Sequence, residues 1–111
     1  MDATTHLPQP DRDAVLELAE AVTAADGVRP LNDDALHGLR RDGERHWLLR
    51  DDAGLAGYAQ HSPAFGTAQV CVRPDARRRG HGRSLLDAAL GAGASGAVSY
   101  THLTLPTSDL V

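Results

Sequence analysis

Lysine and isoleucine are absent from this 111-residue chain, so all 11 basic residues are arginine. Both missing residues have AT-rich codons, and a wealth of Ala, Arg and Gly in their place fits a GC-rich gene. That concerns the gene and not the fold. A single cysteine, Cys71, excludes an intramolecular disulfide framework and a cysteine-built zinc site, and no metal is expected. Aromatic residues make up 4% of the chain: Trp47, Tyr58, Phe65 and Tyr100. The core must therefore rest on Ala, Leu and Val. No apolar run reaches the roughly 18–20 residues that a membrane span needs. The polar stretch after Met1 has neither the basic nor the apolar region of a signal peptide. The expectation is at most one globular domain, cytoplasmic and reduced, with no membrane partner.

Charge is scarce in one sense only. The net charge is −4, yet five arginines (Arg73, Arg77, Arg78, Arg79, Arg83) fall between Val72 and Arg83 against one acid, Asp75. An acidic chain with one short cationic island is poorly suited to nucleic acid. It suits one small anionic ligand better.

The hydrophobic spacing predicts an α+β chain. A short strand is expected around Thr4–Leu7. Asp11 or Asp13 then caps a helix in which Val15, Leu18, Ala19 and Val22 share a face and which Gly27 stops. Asn32 or Asp33 caps a second, short helix with Leu36 and Leu39 on one side, closed by Gly43. The period then changes to two. His46–Arg50 and Leu55–His61 read as a hairpin across the turn residues Asp51–Gly54. Ser62–Gly66 reads as a loop. Ala68–Val72 is the next strand, with Val70 and Val72 on one face and Cys71 on the other, and Pro74 ends it. Arg77–Gly82 is a loop, and Arg83–Leu90 begins a helix with Leu85, Leu86, Ala89 and Leu90 as its apolar side. Gly91–Ala97 has linker composition.

The segment from Val70 to Leu86 carries the chemistry. A strand feeds a glycine-rich loop, which feeds a helix N-terminus. There, free backbone N–H groups and the positive end of the helix dipole meet an anion. Gly80 and Gly82 lack a Cβ and let a bulky anion come close to the backbone. A dinucleotide fingerprint would need a third glycine where Leu85 stands, and a P-loop would need a lysine. Both are ruled out on their own terms. Cys71, in mid-strand, reads as a packing residue in preference to a nucleophile. For His81 the backbone matters more than the ring.

Arg77-Arg78-Arg79-Gly80-His81-Gly82, after a strand ending at Val72-Arg73-Pro74, resembles the acyl-CoA loop of the GNAT acetyltransferase superfamily. The resemblance implies the acyl-CoA N-acyltransferase fold, a mixed sheet with helices, ending in this chain after the loop helix. It also implies acetyl-CoA as co-substrate and a small-molecule amine as acceptor. The stretch Ala21–Leu31 (Ala-Val-Thr-Ala-Ala-Asp-Gly-Val-Arg-Pro-Leu), with Leu36 and Leu39, is similar to the N-terminal region of the mycothiol synthase family. Members of that family acetylate the cysteinyl amine of Cys-GlcN-Ins and carry two tandem GNAT domains. This chain would hold only the first, the second being missing. Carried over by position, the acetyl-CoA contacts fall on Val70, Cys71, Val72, Arg78, Arg79, Gly80, His81, Gly82 and Arg83. A substrate-contacting acid falls on Asp33, where the family commonly has Glu; a plain helix cap explains Asp33 as well. Gln69 stands where relatives often have a carboxylate, and no base or acid for the transfer stands out. A truncated single-domain GNAT of other specificity and a non-catalytic CoA-binding module remain alternatives.

The end of the chain differs in composition. Val98-Ser99-Tyr100-Thr101-His102-Leu103-Thr104-Leu105-Pro106-Thr107 resembles the translation of a transposon sequencing adaptor. Residues 1–97 are thus expected to be a partial GNAT domain and 98–111 a non-native tail. The alternative is a natural strand, since Val98–Leu105 is rich in β-forming residues.

Overall fold

A computed structural model of the chain describes residues 3–31, 33–41, 43–62, 67–91 and 98–100. Helix α1 spans Gln9–Asp26 and helix α2 spans Asp33–Gly38. Strands β1 (Arg45–Asp51), β2 (Gly54–Ser62) and β3 (Thr67–Val72) follow. Helix α3 covers His81–Gly91, and β4 covers Val98–Tyr100. The sheet order is β1-β2-β3-β4, with the first three strands antiparallel and β4 parallel to β3. The expected α+β class with a mixed sheet is the class observed.

Several boundaries differ from expectation. Thr4–Leu7 does not form a strand: Thr4 makes one isolated antiparallel bridge to His46, with N–H···O distances of 2.9 and 2.8 Å. Helix α1 starts before Asp11, with Pro8 as its cap residue and Pro10 in the first turn. A proline costs nothing there because first-turn N–H groups lack an intrahelical acceptor. Gly27 ends α1 as expected, at φ +75° with its N–H on the Thr23 carbonyl at 2.8 Å. Helix α2 stops at Gly38, short of Gly43. Helix α3 begins at His81, not Arg83, so Gly82 belongs to its first turn. The chain was also expected to end its fold with the loop helix, whereas β4 follows and pairs Ala68 with Val98 and Val70 with Tyr100. The loop expected at Ser62–Gly66 loses Ser62 to β2, and positions 63–66 lie outside the described residues.

Alternation along the strands splits the core in two. Trp47, Ala59, Ala68, Val70 and Val72 meet Ala76, Leu85 and Ala89 on the α3 side. Tyr58 and Cys71 meet Leu7, Val15, Leu18, Val22, Leu31, Ala35 and Leu39 on the α1–α2 side. The Val70/Cys71/Val72 alternation read from the sequence is thus the actual division of the two half-cores. The hairpin register slips after Leu49, which faces Gly57, so that Arg50 faces Leu55 and Ala56 is the extra residue of a bulge in β2. The bulge brings Ala56 into the α3-side cluster.

Gly57, next in line, leaves room for helix α3. A Cβ there would lie 2.7 Å from Leu85 Cδ1 and 3.4 Å from the Cys71 carbonyl oxygen. Gly57→Ala is expected to destabilise the fold by about 1–3 kcal/mol, since Leu85 must leave its rotamer or α3 must lift. Leu85→Ala alone should cost about 2–5 kcal/mol. The double variant should cost clearly less than the sum of the singles, measured by urea unfolding. Strict additivity would contradict the contact.

Candidate functional site

Strand β3 ends at Val72, and Pro74 opens a single 3-10 turn, Pro74–Ala76. Its fixed φ suits that first position. Ala76 is buried in the α3-side cluster and pins the turn to the core. Arg77 then runs extended at φ −74°, ψ 162°. Arg78 sits at φ +64° and Gly80 at φ +81°. Gly80 adopts this left-handed geometry at no steric cost, and a Cβ there would face open space. Ser84 N–H donates to the Gly80 carbonyl at 3.0 Å, the first bond of α3. The amides of His81 and Gly82 therefore precede the ladder and carry the positive end of the helix dipole. No acid stands in that first turn.

The five arginines divide by partner. Arg73 forks onto Asp51 of β1 at 2.6 and 3.2 Å, reaches the Leu55 carbonyl at 3.3 Å and contacts Asp75. That hydrogen bond holds the Asp51 carboxyl below the usual carboxylate range, against a smaller opposing effect of burial. Arg77 forks onto Asp26, the last residue of α1, at 2.8 and 2.9 Å. Its Nε also donates to the Val72 carbonyl at 3.3 Å. Arg83 lies along α3 against Asp87 at 3.2 Å. Arg78 and Arg79, both exposed, are the two that flank the helix N-terminus. The cationic island of the sequence is thus largely spent on internal ion pairs. The Asp26 and Asp51 pairings were not foreseen from the sequence. Their one signal is Asp26 itself, an acid in the last turn of a helix that has no base there.

The C-terminal end of β3 borders the loop. Arg73 N–H donates to the Ala56 carbonyl at 2.7 Å. Alternation then points the backbone groups of Ala68, Val70 and Val72 away from β2. The last described β3–β4 pair is Val70 with Tyr100, and the Val72 N–H lies past it, beside the loop. The side chains of Val70, Cys71 and Val72 are all buried. The Cys71 backbone faces β2 and that of Val70 pairs with β4, so of the three the Val72 backbone is the one placed to meet a ligand at the loop. Burial pushes the Cys71 thiol up to about 12, so it stays protonated and acts as packing. Asp33 is not brought to the loop. It stands 80% exposed in the first turn of α2, 3.4 Å from Arg29, on the helix layer opposite α3. With Gln9, Arg12, Leu36, His37 and Arg40 it lines a separate cavity of about 370 Å³.

A polar row crosses the α1–α2 face of the sheet, where His46, Gln60 and Gln69 stand side by side in register. Gln60 Nε2 donates to the Ala35 carbonyl at 2.9 Å, tying α2 to the sheet, and to Tyr58 Oη at 3.0 Å. Tyr58 Oη lies 2.6 Å from His46 Nδ1, so its proton is directed to a neutral imidazole. His46 is fully buried, and its Nε2 has no hydrogen-bond partner among the described residues. Among the described residues no three metal-ligating side chains gather, and no helix is long and apolar enough to cross a membrane.

A strand, a proline turn, a glycine-bounded arginine loop and a helix N-terminus in this order are what an acyl-CoA-dependent acetyltransferase domain presents. The acetyltransferase (GNAT) domain family matches residues 42–109, and the chain belongs to it. Among curated proteins, the chain is 43% identical over 102 residues to the mycothiol acetyltransferase of Thermobispora bispora, covering 88% of this chain and 35% of that protein. It is 42% identical over 89 residues to that of Mycolicibacterium smegmatis, with 77% and 30% covered. The protein of the same name from Thermomonospora curvata is 46% identical over 86 residues, with 74% and 29% covered. The chain spans about a third of the length of these relatives.

The polar row gives a pH signature. Burial lowers the His46 pKa from 6.5 to about 4, and His61 is lowered too, by burial first and Arg45 second. Between pH 6.5 and about 4 the unfolded chain binds protons that the folded chain refuses, so stability falls with acidification across that window. His46→Gln should flatten part of this slope, with His61 supplying the rest. Urea midpoints from pH 7 to 4.5 test it, and an unchanged slope would count against a buried neutral His46.

Proposed function

We propose that the loop Arg78–Arg83 at the start of α3 takes the pyrophosphate of acetyl-CoA. In this reading the chain is the N-terminal CoA-binding GNAT domain of a cytoplasmic mycothiol acetyltransferase. The observation that carries it is the succession of the Val72 end of β3, the Gly80-bounded loop and the α3 N-terminus. The amides of His81 and Gly82 would meet the phosphate oxygens, with Arg78 and Arg79 adding charge from outside. The pantetheine arm would reach in toward the Val72 end of β3, past its pairing with β4. The Val72 N–H would then polarise the thioester carbonyl or hold the arm. In the complete reaction a neutral amine attacks the thioester carbon, the thiolate of CoA leaves and takes up a proton, and the amine loses one to a base.

This domain is poorly equipped for the proton transfers. Gln69 cannot titrate, the Cys71 thiol is held protonated, and burial raises the Tyr58 pKa. These features favour binding without turnover, with the chemistry in the remaining two thirds of the relatives' length, read as a second GNAT domain. Asp33 would then contact the acceptor, the cysteinyl amine sugar Cys-GlcN-Ins, from the α2 layer. The reading also counts residues 1–97 as the domain's own and 98–111 as adaptor-derived. Long-read sequencing of the locus past Ala97 separates that origin from a native strand.

Titration with acetyl-CoA tests the loop. Arg78→Ala with Arg79→Ala should weaken binding about tenfold to a hundredfold and reduce its salt dependence, with little effect on stability because both side chains are exposed. Unchanged affinity would refute the anion-loop assignment. A second acyl-CoA loop in the downstream gene sequence supports the tandem-domain reading, and its absence would sink it.

A further inference from the structure

Asp26 occupies an unfavourable place. It ends α1, where unpaired carbonyls already gather negative charge, and the last turn of that helix holds no base. The compensating cation comes from 51 residues along the chain, as a two-pronged Arg77 contact at 2.8 and 2.9 Å. Both partners are largely shielded, with side chains 20% and 16% exposed. The third prong, Nε on the Val72 carbonyl, fixes the same guanidinium to the end of β3. Arg77 therefore joins three elements at the point where the loop leaves the sheet: α1, β3 and the 3-10 turn. Its donors are directed to Asp26 and the Val72 carbonyl. The next residue, Arg78, needs a left-handed backbone at φ +64°, a conformation that costs free energy for a residue with a Cβ. Such a loop stays in place only if its root is held.

We propose that Arg77 is a positioning residue for the cofactor loop. Clamped between Asp26 and the Val72 carbonyl, it sets where the α3 N-terminus points and does not itself bind phosphate. The proposal rests on the acetyl-CoA reading of the loop for its consequence in binding, but the clamp itself is testable without ligand.

The signs of the effects decide the matter. If Asp26 merely drew a phosphate-binding arginine away, Asp26→Asn would free Arg77, remove a nearby negative charge and tighten acetyl-CoA binding. If the pair positions the loop, the isosteric Asp26→Asn must weaken binding. The full 111-residue chain and its variants Asp26→Asn, Arg77→Gln, Arg77→Lys and the Asp26→Asn/Arg77→Gln double are titrated with acetyl-CoA by calorimetry. Amide hydrogen exchange at Gly80–Ser84 is followed without ligand. Each single variant is expected to bind about tenfold more weakly and to exchange faster at the loop, and the double no worse than either single. Arg77→Lys keeps the charge but not the fork, and should resemble Arg77→Gln. Unchanged or tighter binding in Asp26→Asn, additive losses in the double, or full rescue by lysine would each overturn the proposal. Absence of acetyl-CoA binding in the unaltered chain would defeat the cofactor reading. The exchange arm still decides the clamp in that case: loop protection unchanged in Asp26→Asn overturns it.

Discussion

Five arginines within twelve residues repel one another, and a loop that gathers them can close only if most of that charge is cancelled locally. Here the cancellation comes from far along the chain. Asp51 arrives at the end of β1 and Asp26 at the end of α1, and each meets a forked guanidinium at the exit of β3. The bidentate geometry matters as much as the charge, because it fixes orientation where a lysine would fix only distance. The two clamps leave Arg78 and Arg79 as outward-facing cations. The proposed ligand site is thus what remains after the fold has used the charge it needs.

The same strand end organises the packing. β3 gives Val70 and Val72 to the α3 layer and Cys71 to the α1–α2 layer. Neither helix layer can shift along the sheet without moving the residue from which the loop departs. Small side chains make this possible. Ala56, Gly57 and Ala59 on β2 leave room for Leu85, so a chain with few aromatics still seats α3 directly on the sheet. The scarcity of aromatics, read from composition as a thin core, is in this place a condition for close helix–sheet contact.

Much of this was legible in the sequence, for identifiable reasons. Gly27 after a run of helical spacing, the Asp-Asp-Ala-Gly turn and the alternation around Cys71 are local signals, and each fixed its element. The strand–turn–loop–helix unit around Arg77–Gly82 was legible because proline, arginine and glycine spacing coincide there with a strand end and a helix start. The starts of α1 and α3 were misplaced because prolines and glycines read as breakers are also welcome in a helix's first turn. The Asp26–Arg77 and Asp51–Arg73 pairs were not legible, since nothing local links residues 51 and 22 positions apart. The same holds for the His46–Tyr58–Gln60 chain, whose members alternate with apolar residues on two strands and look like ordinary strand polarity until α2 covers them.

Trp47, the chain's one tryptophan, lies buried in the α3 layer, while Tyr58 lies fully buried in the other. The two half-cores therefore carry different chromophores. Indole emission follows the docking of α3, and with it the platform under the loop, while the Tyr58 phenol answers to α1 and α2. A chain whose halves came apart at different denaturant concentrations would show two colours of transition, and a chain welded by β3 into one cooperative unit would show a single midpoint in both.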